Sequence, residues 1–335
     1  VNEKKLGGPL SSIIDYAHQN GMKFGLWFEP EMISEDSELY RAHPDYAIGV
    51  PGRVRCKSRR QFMLDLTRRE VRNYIVNSVN KVIAENEIDY VKWDYNRNVT
   101  DIYSLELPPE KQKEFAHRYA LGLYDICERI VNANPDIFFE GCAGGGARFD
   151  PAMLYYFPQI WTSDDTDAEE RTKIQYGTSI CYPLSTMSCH VSAVPNHETR
   201  RSCHINTRAA IAHLGATGYE LDPTLFTEED KDILQDGGLL SIKPVIYVAN
   251  LDEDGMADYE NNEAYKAFAH LILSSDLYRT ENPFEGNYFG FNIVAKDKSE
   301  AVFTCYRRHN SEDQVKFVYP RGLDPDKRYY ISERE

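Results

Sequence analysis

Apolar residues follow a helical period just after Pro9, with Leu10, Ile13, Ile14 and Ala17 at i, i+3, i+4 and i+7 before Gly21. "KFGLWFEP" then reads as a strand closed by Pro30. Thr67 and Glu70 in "TRRE" have capping-box spacing and predict a helix whose apolar face carries Val71, Tyr74, Ile75, Val79 and Val82. "EIDYVKWDYNRN" is a short apolar strand that runs directly into charge. A long helix is expected after Pro108-Pro109, with Phe115, Tyr119, Ile126 and Ile130 on its buried face. Another is expected near 201–214.

Strand and helix therefore alternate, which implies parallel strands joined by crossover helices. Six strand candidates stand at 23–28, 88–93, 137–141, 159–163, 186–191 and 217–221. Each ends in polar residues: Glu29 and Glu31; Asp94 and Asn96; Glu140 and Cys142; Ser163, Asp164 and Asp165; His190; Glu220 and Asp222. A doubly wound sheet concentrates its site at one crevice, whereas a (β/α)8 barrel feeds one site from many strand ends. The expected fold is therefore an α/β TIM barrel, with its first strands lying before this chain. From about 287 the pattern alternates as antiparallel strands do, which predicts the start of a small β-sandwich. The expected division is a partial barrel over 1–284 and a partial β-domain over 285–335.

Composition narrows the chemistry. With 38 Lys and Arg against 53 Asp and Glu, the net charge is −15, and no basic block exists to neutralise phosphates. Nucleic acid and anionic membrane surfaces are disfavoured as partners, and no apolar run is long enough to span a bilayer. The 23 tyrosines suit a carbohydrate site as well as a scaffold, because the ring packs on sugar C–H groups while the hydroxyl bonds. Seven cysteines without a CxxC pair fit a reducing compartment, so a cytoplasmic location is expected. "VNEKKLGGPL" has neither an initiator Met nor a signal peptide's apolar core, as expected for the middle of a longer protein.

Asp94 and Asp164 are the candidate catalytic pair, each a carboxylate at a strand mouth. Glycoside hydrolysis needs two such groups, one to attack or to activate water and one to protonate the leaving oxygen. Lys92, two residues before Asp94, shares its strand face and is expected to keep it ionised, although a structural ion pair would place the same residues there. In "SDDTD", Asp165 or Thr166 is expected to cap the helix near 168. "CAGGG" lacks the lysine of a P-loop and allows a flat ligand to approach the backbone. His190, His197 and His204 form neither HxH nor HExxH, so no metal site is expected. The GxSxG elbow of serine hydrolases is absent as well.

"GLWFEPEM", "SRRQFMLDLT", "YVKWDYNR", "EGCAGGGARFD", "WTSDDTDAEERTKIQYGTS", "HVSAVPNH" and "NPFEGN" together resemble the α-galactosidases of glycoside hydrolase family 36 over nearly the whole chain. The resemblance implies a catalytic barrel between two β-domains, no cofactor, and a homotetramer. It also implies retaining hydrolysis of terminal α-1,6-linked galactose from melibiose- and raffinose-type oligosaccharides. Asp94 falls on the family's nucleophile and Asp164 on its acid/base, while Asp165 is often Asn there. Lys92, Asn96, Arg59 and Trp27 match positions that bond sugar hydroxyls, and Cys142 and Gly145 match the pocket wall.

Two departures stand out. The family's early "DDGW" block, which binds O4 and O6, does not occur in this chain, so residues 1–335 alone are expected to show little activity. The last barrel helix is expected to be interrupted by an insertion near 236–262. The competing expectations are a raffinose-synthase-like transglycosylase, in which a second sugar replaces water, and a non-catalytic sugar-binding remnant.

Overall fold

A single turn, α1 (Glu3–Leu6), precedes helix α2 (Leu10–Gln19), which starts at Pro9 as the apolar spacing requires. The computed structural model describes residues 3–231, 276–281, 284, 288–307 and 321–327. Helix α2 buries Leu10, Ile14 and Ala17, while Ile13 is 41% exposed, so its apolar stripe is narrower than expected. The described residues form two compact units that divide between Asp164 and Asp165.

In the first unit the elements follow in the order β1 (Gly25–Phe28), β2 (Met32–Ser34), α3 (Glu38–Ala42), β3 (Gln61–Met63), α4 (Arg69–Ala84) and β4 (Tyr90–Trp93). Then come α5 (Phe115–Ala133), β5 (Phe138–Gly141), α6 (Pro151–Tyr156) and β6 (Gln159–Trp161). Strands β1, β4, β5 and β6 pair in that order, all parallel. Helices α4, α5 and α6 lie in the crossovers between them. The core packs Val71, Ile75 and Val79 of α4 and Phe115, Leu123, Ile126 and Ile130 of α5 with Val91, Trp93 and Phe139 of the sheet. Strands β2 and β3 form an antiparallel pair outside this sheet, which the apolar pattern did not predict.

Two expected caps are corrected. Thr67 does not cap α4: its hydroxyl donates to Asp65 at 2.6 Å, and Glu70 accepts from Arg68 at 2.8 Å. Each half of the capping box is thus held by a competing partner, and Arg68 occupies the cap position without capping the helix through its side chain. On the same helix Tyr74 is largely exposed, and Val76 and Ile83 complete the buried face.

The second unit contains α7 (Ala168–Thr178), β7 (Met187–Ser192), α8 (Ile205–Ala212) and β8 (Ala216–Glu220), with β7 and β8 parallel. Asp167, rather than Asp165 or Thr166, caps α7, accepting from the Glu169 and Glu170 amides at 2.9 and 3.1 Å. Asp165 instead accepts the Asp167 amide. Strands β9 (Asp276–Glu281), β10 (Tyr288–Val294) and β11 (Ala301–Arg307) form an antiparallel sheet; the alternating pattern from about 287 predicts β10 and β11, whereas β9 lies before it, in the span expected to belong to the barrel. The insertion expected near 236–262 and the strands expected in "VKFVYP" and "RYYIS" lie outside the described residues. Among the described residues, no helix is long and apolar enough to cross a membrane.

Candidate active site

Parallel register aligns Trp27, Lys92, Glu140 and Gln159 in one row across β1, β4, β5 and β6. Side chains alternate along a strand, so the residue two positions further on returns to the same face. Glu29, Asp94, Cys142 and Trp161 therefore share that face at the carboxyl ends of the strands, where a parallel α/β sheet places its chemistry. Backbone pairing continues into this second row, because the Asp94 amide donates to Phe28 O and the Cys142 amide to Trp93 O, each at 2.8 Å.

Asp94 is buried, yet its carboxylate is densely solvated by protein. Oδ2 accepts from Asn96 Nδ2 at 2.6 Å and from Trp27 Nε1 at 2.9 Å, and Oδ1 accepts the Tyr95 amide at 2.8 Å. Burial alone would push this carboxyl up, but the bonds from Asn96, Trp27, the Cys142 thiol and the Tyr95 amide outweigh it and leave it below the ordinary aspartate value. Burial pushes the Cys142 thiol up to about 12, so it remains a protonated donor. The ammonium of Lys92, expected to hold Asp94 ionised, pairs with Glu140 at 3.1 Å and lies 4.5 Å from the centre of the Trp161 ring. The donors that lead in holding Asp94 down are neutral.

Asp164 follows β6 and is exposed. Trp161 Nε1 donates to its Oδ1 at 3.0 Å. The glycine loop sets its backbone. Gly145 has φ +82°, and a Cβ there would come within 3.0 Å of the Asp164 amide nitrogen. Only glycine lets this loop lie against the strand end that carries Asp164.

Arg59 occupies a two-residue turn between Ser58 and Gln61, closed by backbone bonds of 3.2 and 2.9 Å. Arg59 and Arg60 both have left-handed backbones, at φ +52° and +63°. Such turns favour Asn and Gly, so two arginines here are strained. Arg59 Nη1 reaches Glu29 at 3.5 Å, and Glu29 accepts from Asn96 at 2.9 Å, which joins the turn to Asp94 through two side chains. Arg97 clamps the turn from behind, donating to Gln61 O at 2.7 Å and Cys56 O at 3.2 Å.

All eight expected site residues thus lie in one unit, and Trp27, Asn96 and Cys142 converge directly on Asp94. Sequence reasoning did not assign Glu29, Arg97 or Glu140 to the site. It also missed the buried pair of Glu31 and Arg148, in which the guanidinium forks onto the carboxylate at 2.6 and 3.1 Å. Trp93 Nε1 and the Tyr119 hydroxyl complete that carboxylate's bonds, and Arg148 stacks 3.7 Å from the Tyr95 ring centre. The pair ties the glycine loop to the residue beside Asp94. A glutamate at a strand end was the available signal for Glu29, Glu31 and Glu140. Among the described residues, no cluster of His, Cys, Asp and Glu could hold a metal ion.

The melibiase family profile matches residues 1–239. Alpha-galactosidase AgaA of Geobacillus stearothermophilus is 43% identical over 99% of this chain, and Alpha-galactosidase 1 of Pediococcus pentosaceus is 45% identical over 98%. The chain spans 42% of the length of each. The crystal structure of AgaA, a GH36 enzyme, superposes on 97% of this chain and 42% of its own with a TM-score of 0.85. A variant of AgaA in complex with raffinose gives 0.84 over the same shares.

Proposed function

The chain belongs to the melibiase family, and on that premise we propose that it carries the catalytic pair of a retaining α-galactosidase for raffinose-type oligosaccharides. The observation that carries this reading is the contrast between two carboxylates at the ends of β4 and β6, the strands on either side of β5. Asp94 is buried, held below the ordinary aspartate value and surrounded by neutral donors, as an attacking carboxylate requires. Asp164 is exposed, as a group that exchanges a proton with the leaving sugar and then with water requires.

In the first step an Asp94 oxygen bonds to the anomeric carbon while Asp164 gives its proton to the departing glycosidic oxygen. In the second, Asp164 takes a proton from water, whose oxygen displaces Asp94 and restores the α configuration. Lys92, Asn96, Trp27 and Arg59 bond the sugar hydroxyls, and Cys142 and Gly145 form the wall against which the ring lies. The identity to named α-galactosidases and the raffinose complex of one of them support the substrate class.

The test is to trap the protein, as encoded in full, with a slow 2-deoxy-2-fluoro galactoside and to locate the ester by mass spectrometry. The label is expected on Asp94. A label on Asp164 or Asp165 reverses the assignment, and a β-configured first product seen by NMR refutes retention.

A further inference from the structure

We infer that Arg97 is a positioning residue that clamps the strained turn at Arg59 and Arg60 and so holds the Arg59 guanidinium in the site. The inference rests on the sugar-binding role proposed above for Arg59. Arg97 follows the strand that leads into Asp94, and only 8% of it is exposed. Its fork spans the two ends of the turn: Nη1 donates to Gln61 O at 2.7 Å and Nη2 to Cys56 O at 3.2 Å. The Cys56 amide donates to Asp101 at 2.8 Å, a residue of the same segment as Arg97. Both ends of the turn are thus fixed from the stretch of chain that follows β4.

Such a hold answers a need of the turn. Arg59 and Arg60 have φ of +52° and +63°, and a left-handed backbone at non-glycine residues persists only where its surroundings over-determine it. The bonding of Arg97 does little for Arg97 itself. It is a buried cation whose hydrogen bonds go to neutral acceptors, the two carbonyls and, at 3.4 Å, the Thr100 hydroxyl. Its Nε–H has no hydrogen-bond partner among the described residues. A buried charge held in this way is costly, and stability alone would favour an apolar side chain of similar volume. What the fork secures is the position of Arg59, whose guanidinium meets the Glu29 carboxylate at 3.5 Å. Glu29 accepts from Asn96, which donates to Asp94 as well, so the clamped turn is tied to the proposed nucleophile. Arg97 thereby preorganises a group on a turn that would otherwise relax.

The test uses the protein as encoded in full, assayed on an aryl α-galactoside. Arg97→Met is expected to raise KM about tenfold, in the middle of the coupling range for groups in contact, with kcat changed by less than about twofold. In an Arg59→Met background the same substitution should change KM by less than about twofold, because the group it acts through is gone. Arg60→Gly tests the strain itself. Glycine adopts the left-handed backbone freely, so adding it to Arg97→Met should recover part of the loss in KM, while on its own it leaves KM in place. Should Arg97→Met fail to fold, Arg97→Lys keeps the charge without the planar fork, and the same rise in KM and the same recovery by Arg60→Gly are expected. Additive effects in the cycle with Arg59, an unchanged KM, or no recovery by Arg60→Gly would overturn the inference. A wild-type protein that turns over no α-galactoside refutes the function itself, whereas an active wild type with an additive cycle refutes only the role of Arg97.

Discussion

Trp27, 52% exposed, donates its indole N–H at 2.9 Å to the buried carboxylate of Asp94 on the adjacent strand. One side chain therefore faces the opening of the site and also solvates the group at its base. Trp27→Phe keeps the ring and removes the donor. Asp94 sits below its ordinary value and, as the proposed nucleophile, must be ionised to attack, so loss of a donor is expected to move the acid limb of kcat/KM to higher pH. At neutral pH the expected loss in kcat/KM is about one decade, the lower end for a bond to a charged group, because the indole is half exposed. An acid limb that does not move would separate Trp27 from the ionisation of Asp94.

Asp164→Ala should slow raffinose by about two to four decades, the range for removing a general acid. Aryl galactosides with good leaving groups should be affected far less in the first step, and azide should restore turnover with formation of β-galactosyl azide. The two carboxyls are expected about 5–5.5 Å apart, as retention requires. The absence of the azide adduct, or a separation near 9 Å in a crystal structure, would assign Asp164 another role.

Glu31→Gln strips the charge from a buried fork and leaves Arg148 without its partner. The expected cost is about 3–5 kcal/mol, read as a lower denaturant midpoint. Replacing both residues together, as Glu31→Leu with Arg148→Met, should cost less than the single change, because no orphaned charge remains. A double variant weaker than the single one would mean that the bonds from Trp93 and Tyr119 dominate instead.

Gly122→Ala tests close packing against helix propensity. Alanine is favoured over glycine in a helix by about 1 kcal/mol, yet a Cβ at Gly122 would fall 2.1 Å from the Leu66 carbonyl oxygen. The clash is with backbone and has no soft way out, so the thermal midpoint should fall. Gly145→Ala should act differently, lowering kcat more than stability, because the displaced backbone belongs to Asp164. A raised midpoint for Gly122→Ala would refute the close approach of α5 to Leu66.

The strands and crossover helices were legible because each apolar run ends abruptly in charge, as Trp93 gives way to Asp94 and Trp161 to the acidic turn. The β2–β3 pair escaped notice because three-residue strands are too short to alternate visibly. The capping box failed for a local chemical reason: Asp65, two residues before Thr67, competes for its hydroxyl. Other misses are long-range. Glu31 and Arg148 are separated by 117 positions, and nothing near either one names its partner. The partner of Lys92 was set by the register of β4 against β5, which a one-dimensional pattern does not contain.

The strained arginine turn has a consequence for anyone who would engineer this protein. A selection for heat resistance would replace both residues, since Asn and Gly fit a left-handed backbone that Arg59 and Arg60 adopt only at a cost of about 1–3 kcal/mol each. On the proposed function, a selection for turnover would keep Arg59, whose guanidinium connects the turn to Glu29. The two pressures separate at adjacent positions: Arg60 can be exchanged for glycine to gain robustness, whereas the same exchange at Arg59 trades catalytic fitness for it.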